Sequence, residues 1–188
     1  MSRPRTVSPS ILAIVLGLMV CVLPAQAADA VVPVHIQKEL RDARLSGQGT
    51  FRWFGLKIYD AALWVEKDDF LPAAPVTTRL VLDLRYARDL YGARIAQSSI
   101  DEIRQLGYGS PAQQRVWLEK MTALFPDVHE GSHISGVYLP AQGARFYLDG
   151  KLLGAIDDAE FARAFFAIWL DARTSAAGLR KQLLASNP

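Results

Sequence analysis

Residues 79–86 alternate strictly. Leu80, Leu82, Leu84 and Tyr86 take every second position against Arg79, Val81, Asp83 and Arg85. A period of two is that of a strand with one buried face. Upstream, residues 50–56 and 57–65 are rich in aromatic and β-branched side chains, as strands are. Gly55 between them marks a bulge or tight bend. Gly47-Gln48-Gly49 reads as a chain break before this pair, and residues 31–44 as a strand or short helix leading in. Residues 72–75 form a Pro-Ala turn between structured segments.

After residue 86 the period changes to that of a helix. Asp89 is placed to cap one whose inner face carries Ile95, Ser99, Ile103 and Leu106, with Gly107 as the stop. Ser110-Pro111 opens a second helix, Ser at the cap and Pro at the first turn, with Gln114 near the capping-box position. Its apolar stripe runs through Trp117, Met121 and Leu124-Phe125 and stops at Pro126. Strands are predicted again at 133–139, 144–148 and 151–156, the last two joined by Asp149-Gly150, a strong hairpin signal. Asp157 or Asp158 caps a helix over 159–169 with Phe161, Phe165, Phe166 and Trp169 on a wide aromatic face, and Thr174 or Ser175 caps a last helix through Leu184. Strands grouped as hairpins and helices grouped in blocks predict an α+β fold: an antiparallel sheet with helices packed on one face.

The N-terminus follows another pattern. Arg3 and Arg5 precede an almost wholly apolar run, Ile11 to Leu23, and Ala25-Gln26-Ala27 offers a small-x-small cleavage site. This is the layout of a secretory signal peptide, with a hydrophobic stretch short of the ~20 residues that span a bilayer. The expectation is a cleaved signal at 1–27, a single domain at 28–188, and a periplasmic or secreted protein with no stable membrane span after cleavage. The single cysteine, Cys21, falls within that segment, so residues 28–188 carry no thiol for a disulfide, a nucleophile or a metal. The formal charge of +2 comes from Arg3 and Arg5, and the rest balances 19 basic against 19 acidic residues. No basic stripe remains to attract phosphates, and nucleic acid is not an expected partner.

The candidate chemistry is sparse. Arg52 lies among Phe51, Trp53 and Phe54. A guanidinium in an aromatic cleft would clamp a carboxylate or phenolate through paired hydrogen bonds. The other reading is an exposed strand position alternating with buried Phe51 and Trp53. Tyr59 either donates to the same ligand or is a core tyrosine bonded to a backbone acceptor. Trp64, with Phe161, Phe165, Phe166 and Trp169, lines an apolar pocket or fills an ordinary core. His129-Glu130 and His133 have i, i+4 spacing, but Pro126 and Gly131 argue for a turn, not a metal-binding helix. The acidic cluster Asp157-Asp158 with Glu160 suits a helix start. Ser98-Ser99, Ser132 and Ser135 lack a hydrolase setting, and no phosphate loop or dinucleotide fingerprint is present, so no cofactor is expected.

The run from Gly47-Gln48-Gly49 through Phe51-Arg52-Trp53-Phe54-Gly55 to Tyr59-Asp60-Ala61-Ala62-Leu63-Trp64 resembles the opening strand pair of the chalcone isomerase-like family. Phe125-Pro126-Asp127-Val128-His129-Glu130-Gly131, Gly136-Val137-Tyr138-Leu139-Pro140 and Phe165-Phe166-Ala167-Ile168-Trp169-Leu170-Asp171 resemble its bacterial exported branch. The resemblance implies an open-faced sandwich, a large antiparallel sheet with a helical layer on one side and a ligand cleft between them. The plant isomerases of the family use an arginine and hydroxyl side chains. The strand threonine falls here at Phe54 and the helix hydroxyl near Ala167, which argues against flavonoid cyclisation. A non-catalytic branch holds fatty acids through an arginine and a tyrosine, and Arg52 and Tyr59 are the nearest matches. Three functions stay open: a binding protein for a small apolar or aromatic acid, with Arg52, Tyr59 and Trp64 as ligand-binding residues; an isomerase acting on an enone or phenol; and a scaffold for a partner protein. The oligomeric state is left open.

Overall fold

The computed structural model describes residues 31–185; the expected signal peptide, 1–27, lies outside them. Strands β1 (Ala43–Trp53), β2 (Leu56–Glu66), β3 (Leu80–Tyr86), β4 (His133–Leu139), β5 (Gly143–Leu148) and β6 (Lys151–Ile156) form one six-stranded sheet. They lie side by side in chain order and every neighbouring pair is antiparallel. Helices α2 (Gly92–Leu106) and α3 (Pro111–Leu124) are inserted between β3 and β4, and α4 (Ala159–Leu170) and α5 (Ala177–Leu183) follow β6. These four cover one face of the sheet. A fifth, α1 (Val34–Glu39), is short and packs on the other.

The main core lies under the helices. Leu63 and Val65 of β2 and Leu80, Leu82, Leu84 and Tyr86 of β3 point into it, as the alternation requires. Three rings of α4, Phe161, Phe165 and Phe166, pack against Phe125, Phe146 and Tyr138, and Trp169 packs on Phe165, mostly edge-on at 5.1–6.4 Å between centroids. Asp158 joins two helices. One carboxylate oxygen caps α4 by accepting from the Phe161 N–H at 2.9 Å, and the other accepts from the Trp117 indole of α3 at 2.9 Å.

Several local expectations change. Gly47-Gln48-Gly49 is no break but the middle of β1, just past a bulge after Leu45. Its glycines let α5 approach, since a methyl group at either would collide with Gln182. Residue 89 does not cap α2. The helix begins at Gly92, whose N–H donates to Asp127 from the loop after α3 at 2.9 Å, while Asp89 accepts from the Glu130 N–H. The capping box of α3 closes through Gln113, one residue before the expected Gln114. Nor is β3 half-buried: α1 seats Ile36 and Leu40 on Trp64, Val81, Val137 and Leu139, burying part of the second face.

Candidate functional site

Two regions gather polar side chains against the sheet, one on each face. On the helix-covered face, the outer ends of β1, β2 and β3 bring Phe51, Tyr59 and Tyr86 into one row, because these residues are register partners. Phe51 stacks on Tyr59 at 5.1 Å, and Tyr86 meets Tyr59 edge-on at 6.0 Å. From above, the Trp169 indole N–H of α4 donates to the Tyr59 hydroxyl at 3.0 Å. That hydroxyl therefore uses an acceptor lone pair, and its own proton has no acceptor among the described residues. Burial pushes the Tyr59 phenol well above its ordinary range, and the neighbouring Tyr86 likewise. Both stay neutral at any physiological pH, so Tyr59 is a permanent hydrogen-bond donor. Tyr59 as a residue is half-buried, while its hydroxyl is desolvated.

On the other face Asp83, Ser135, His133 and His35 satisfy one another. Asp83 is buried in the centre of β3. Ser135 donates to its Oδ1 at 2.6 Å, and the His133 Nδ1 lies 2.9 Å from its Oδ2. His35 of α1 places Nε2 2.8 Å from the Ser135 oxygen. Because the single Ser135 proton goes to Asp83, His35 serves as donor to Ser135. A serine, a histidine and an aspartate thus meet without the proton order that activates a nucleophile, in which the histidine accepts from the serine. Burial lowers the His35 pKa; Asp83 and Glu39 oppose this and His133 reinforces it. Beside this chain, Glu39 accepts from Arg145 at 2.6 Å and from the Tyr147 hydroxyl. These bonds clip α1 to the sheet. A recess of about 530 Å³ continues from Asp83 and His133 across Arg85, Asp60 and Thr50.

The residues singled out by sequence do not converge. Of Arg52, Tyr59 and Trp64, only Tyr59 lies on the helix-covered face, where Trp169 meets it. Arg52 sits at the end of β1, exposed, its guanidinium donating to the Gly55 carbonyl at 3.3 Å, with no aromatic cleft around it. Trp53, expected to be buried beside it, is 60% exposed. Trp64 points to the second face, where it packs under α1, and its indole N–H has no partner among the described residues. Phe161, Phe165, Phe166 and Trp169 are core residues separated from Trp64 by the sheet. His129 and His133 face different carboxylates, Asp89 at 3.5 Å and Asp83 at 2.9 Å. The network of His35, Asp83 and Ser135 was missed. Asp83 falls on the polar side of the β3 alternation, so nothing local marked it as buried.

A single antiparallel sheet with one helical layer and an aromatic seam between them defines an open-faced α+β sandwich. Residues 25–185 match the profile of the family described as chalcone isomerase-like, and the chain belongs to that family. An uncharacterized protein of Haemophilus influenzae is 29% identical over 138 residues, 73% of this chain, and the chain spans 66% of that relative's length. Among solved structures, an Arabidopsis thaliana fatty-acid binding protein superposes with a TM-score of 0.58, covering 77% of this chain and 87% of that one. At 16% identity this likeness shows the shared fold.

Proposed function

We propose that this is an exported binding protein that holds a small apolar ligand between the sheet and the helical layer, with the polar end of the ligand at Tyr59. The observation that carries the proposal is the Tyr59 hydroxyl: anchored by Trp169, walled by Phe51 and Tyr86, and holding a proton that no described residue accepts. A ligand acceptor there would complete the set, and each methylene buried behind it would contribute about 0.8 kcal/mol. The fold shared with a fatty-acid binding protein supports the ligand class. Export rests on the N-terminal sequence, with its basic start, apolar run and Ala25-Gln26-Ala27 site, and on the likeness to an exported bacterial branch.

The placement of Arg52 refines the ligand. A carboxylate buried at Tyr59 without a cation would carry a desolvation cost of several kcal/mol. A neutral acceptor such as an ester, ketone or phenol therefore suits the desolvated Tyr59 hydroxyl better than a bare carboxylate does. The test is the mass of the purified protein under native and denaturing conditions, followed by thermal shift with fatty acids, their methyl esters and simple phenolics. Release of an apolar adduct, with stabilisation by members of that panel, supports the reading. A bare protein indifferent to every compound overturns it. Turnover of a chalcone panel would favour the isomerase reading instead.

A further inference from the structure

The chain builds the same two-residue hairpin turn twice, at the same end of the sheet. Between β5 and β6 the turn is Asp149-Gly150, with φ of 48° and 76°. Between β1 and β2 it is Phe54-Gly55, with φ of 46° and 79°. Both central residues of such a turn need positive φ, which is why Asn-Gly and Asp-Gly dominate it. Asp149 fits, and its side chain also accepts from the His133 N–H at 2.8 Å. Phe54 does not fit. A bulky residue at positive φ is an outlier, and this one is 88% exposed, its ring meeting only Trp53 edge-on at 4.8 Å. Trp53 and Leu56 flank it at 60% and 53% exposure. Neither burial nor turn geometry accounts for three large apolar side chains at the tip of a hairpin made of two 11-residue strands.

The charges beside the tip are positive. Arg52 spends one N–H on the Gly55 carbonyl and keeps the rest of its guanidinium at the surface. Lys57 is paired with Asp60 at 2.6 Å, so the free charge is that of Arg52. A protein partner would need roughly 800 Å² of surface per side, more than three side chains on a narrow turn present. A lipid bilayer needs only an apolar wedge, an aromatic residue at head-group depth and a cation for anionic lipids.

We propose that Trp53, Phe54 and Leu56 form a membrane-docking tip that enters the interfacial layer of an anionic bilayer, with Arg52 at the head groups. The inference goes beyond ligand binding and stands whether or not Tyr59 holds a ligand. Where both hold, Phe51 and Tyr59, just inboard of the tip, face an acyl source.

The test uses protein recovered from cells expressing the full sequence, mixed with phosphatidylcholine vesicles with and without phosphatidylglycerol, some with brominated acyl chains that quench tryptophan. Of the four tryptophans, Trp64, Trp117 and Trp169 are buried, so lipid quenching reports Trp53 and no other segment of the chain imitates it. The expected result is blue-shifted, quenched emission on anionic vesicles that weakens in salt. Trp53→Phe removes the quenched component. Phe54→Asn, which suits the turn and so preserves folding, lowers vesicle affinity about tenfold. Unquenched emission on every vesicle, or a Phe54→Asn protein that binds as wild type does, overturns the proposal. So does a concentration-dependent dimer without lipid that Phe54→Asn abolishes, which would assign the patch to a second copy.

Discussion

The two faces of the sheet handle polar side chains in opposite ways. On the face under α1, a carboxylate is buried, and each of its oxygens has a partner: Ser135 on one, His133 on the other, with His35 backing Ser135. On the face under the long helices, the row at the outer end of β1, β2 and β3 carries phenols with the Trp169 indole above them, and Tyr59 keeps a proton with no acceptor among the described residues. A buried polar group is costly until it is paired. Around Asp83 the first face has met that demand internally and that network reads as structural, while the Trp64 indole N–H packed under α1 stays without a partner among the described residues. The second leaves a donor for something from outside. Polarity alone points to the α1 side, which is richer in histidine, serine and carboxylate, and not to Tyr59.

The contrast can be broken from either side. The largest expected effect is on the helix-covered core. Phe146 is fully buried among Phe125, Phe161 and Phe165, and Phe146→Ala should cost about 3–5 kcal/mol, read from the denaturant midpoint. Next is the α1 face: Asp83→Ala strands the buried Ser135 hydroxyl and should cost about 1–3 kcal/mol with ligand affinity unchanged. A loss of ligand binding there would undo the division of roles. Tyr59→Phe should cost about 1 kcal/mol, since it orphans the Trp169 N–H, yet weaken ligand binding far more than Asp83→Ala does.

Acid should act through the α1 face. His35 has its pKa lowered by burial, so the unfolded chain takes up a proton more readily than the folded one. Its contribution to stability is complete above the unfolded value of about 6.5 and is lost as pH falls from there through the folded value. Thermal unfolding should therefore show a decline in stability below neutrality that His35→Gln flattens; an unchanged slope would place the acid sensitivity elsewhere. The smallest effect belongs to the hairpin tip. Phe54→Asn relieves a bulky residue at positive φ and should raise stability by up to about 1 kcal/mol, measured by the melting temperature.

The strands, the helices and the class were legible because each rests on local periodicity: β3 alternates, α4 carries a ring every third or fourth residue, and Asp149-Gly150 takes its turn. Arg52, Tyr59 and Trp64 looked like one site because they lie close together in a stretch rich in aromatic residues. In space, alternation sends Tyr59 to one face and Trp64 to the other. Arg52 lies past a register shift at the free end of the hairpin. Gly47 and Gly49 read as a break because their cause is α5, more than a hundred residues away in the chain. Asp127 capping α2 and His35 meeting Ser135 are likewise long-range contacts that no local pattern carries.

The most direct measurement compares the calorimetric affinity of wild-type protein, Tyr59→Phe and Trp169→Phe for one long-chain ligand identified from the native mass. If Tyr59 donates to the ligand, Tyr59→Phe loses roughly tenfold or more in affinity, while Trp169→Phe, which keeps the hydroxyl, loses less. Equal affinities for wild type and Tyr59→Phe would contradict the assignment of the ligand to the helix-covered face.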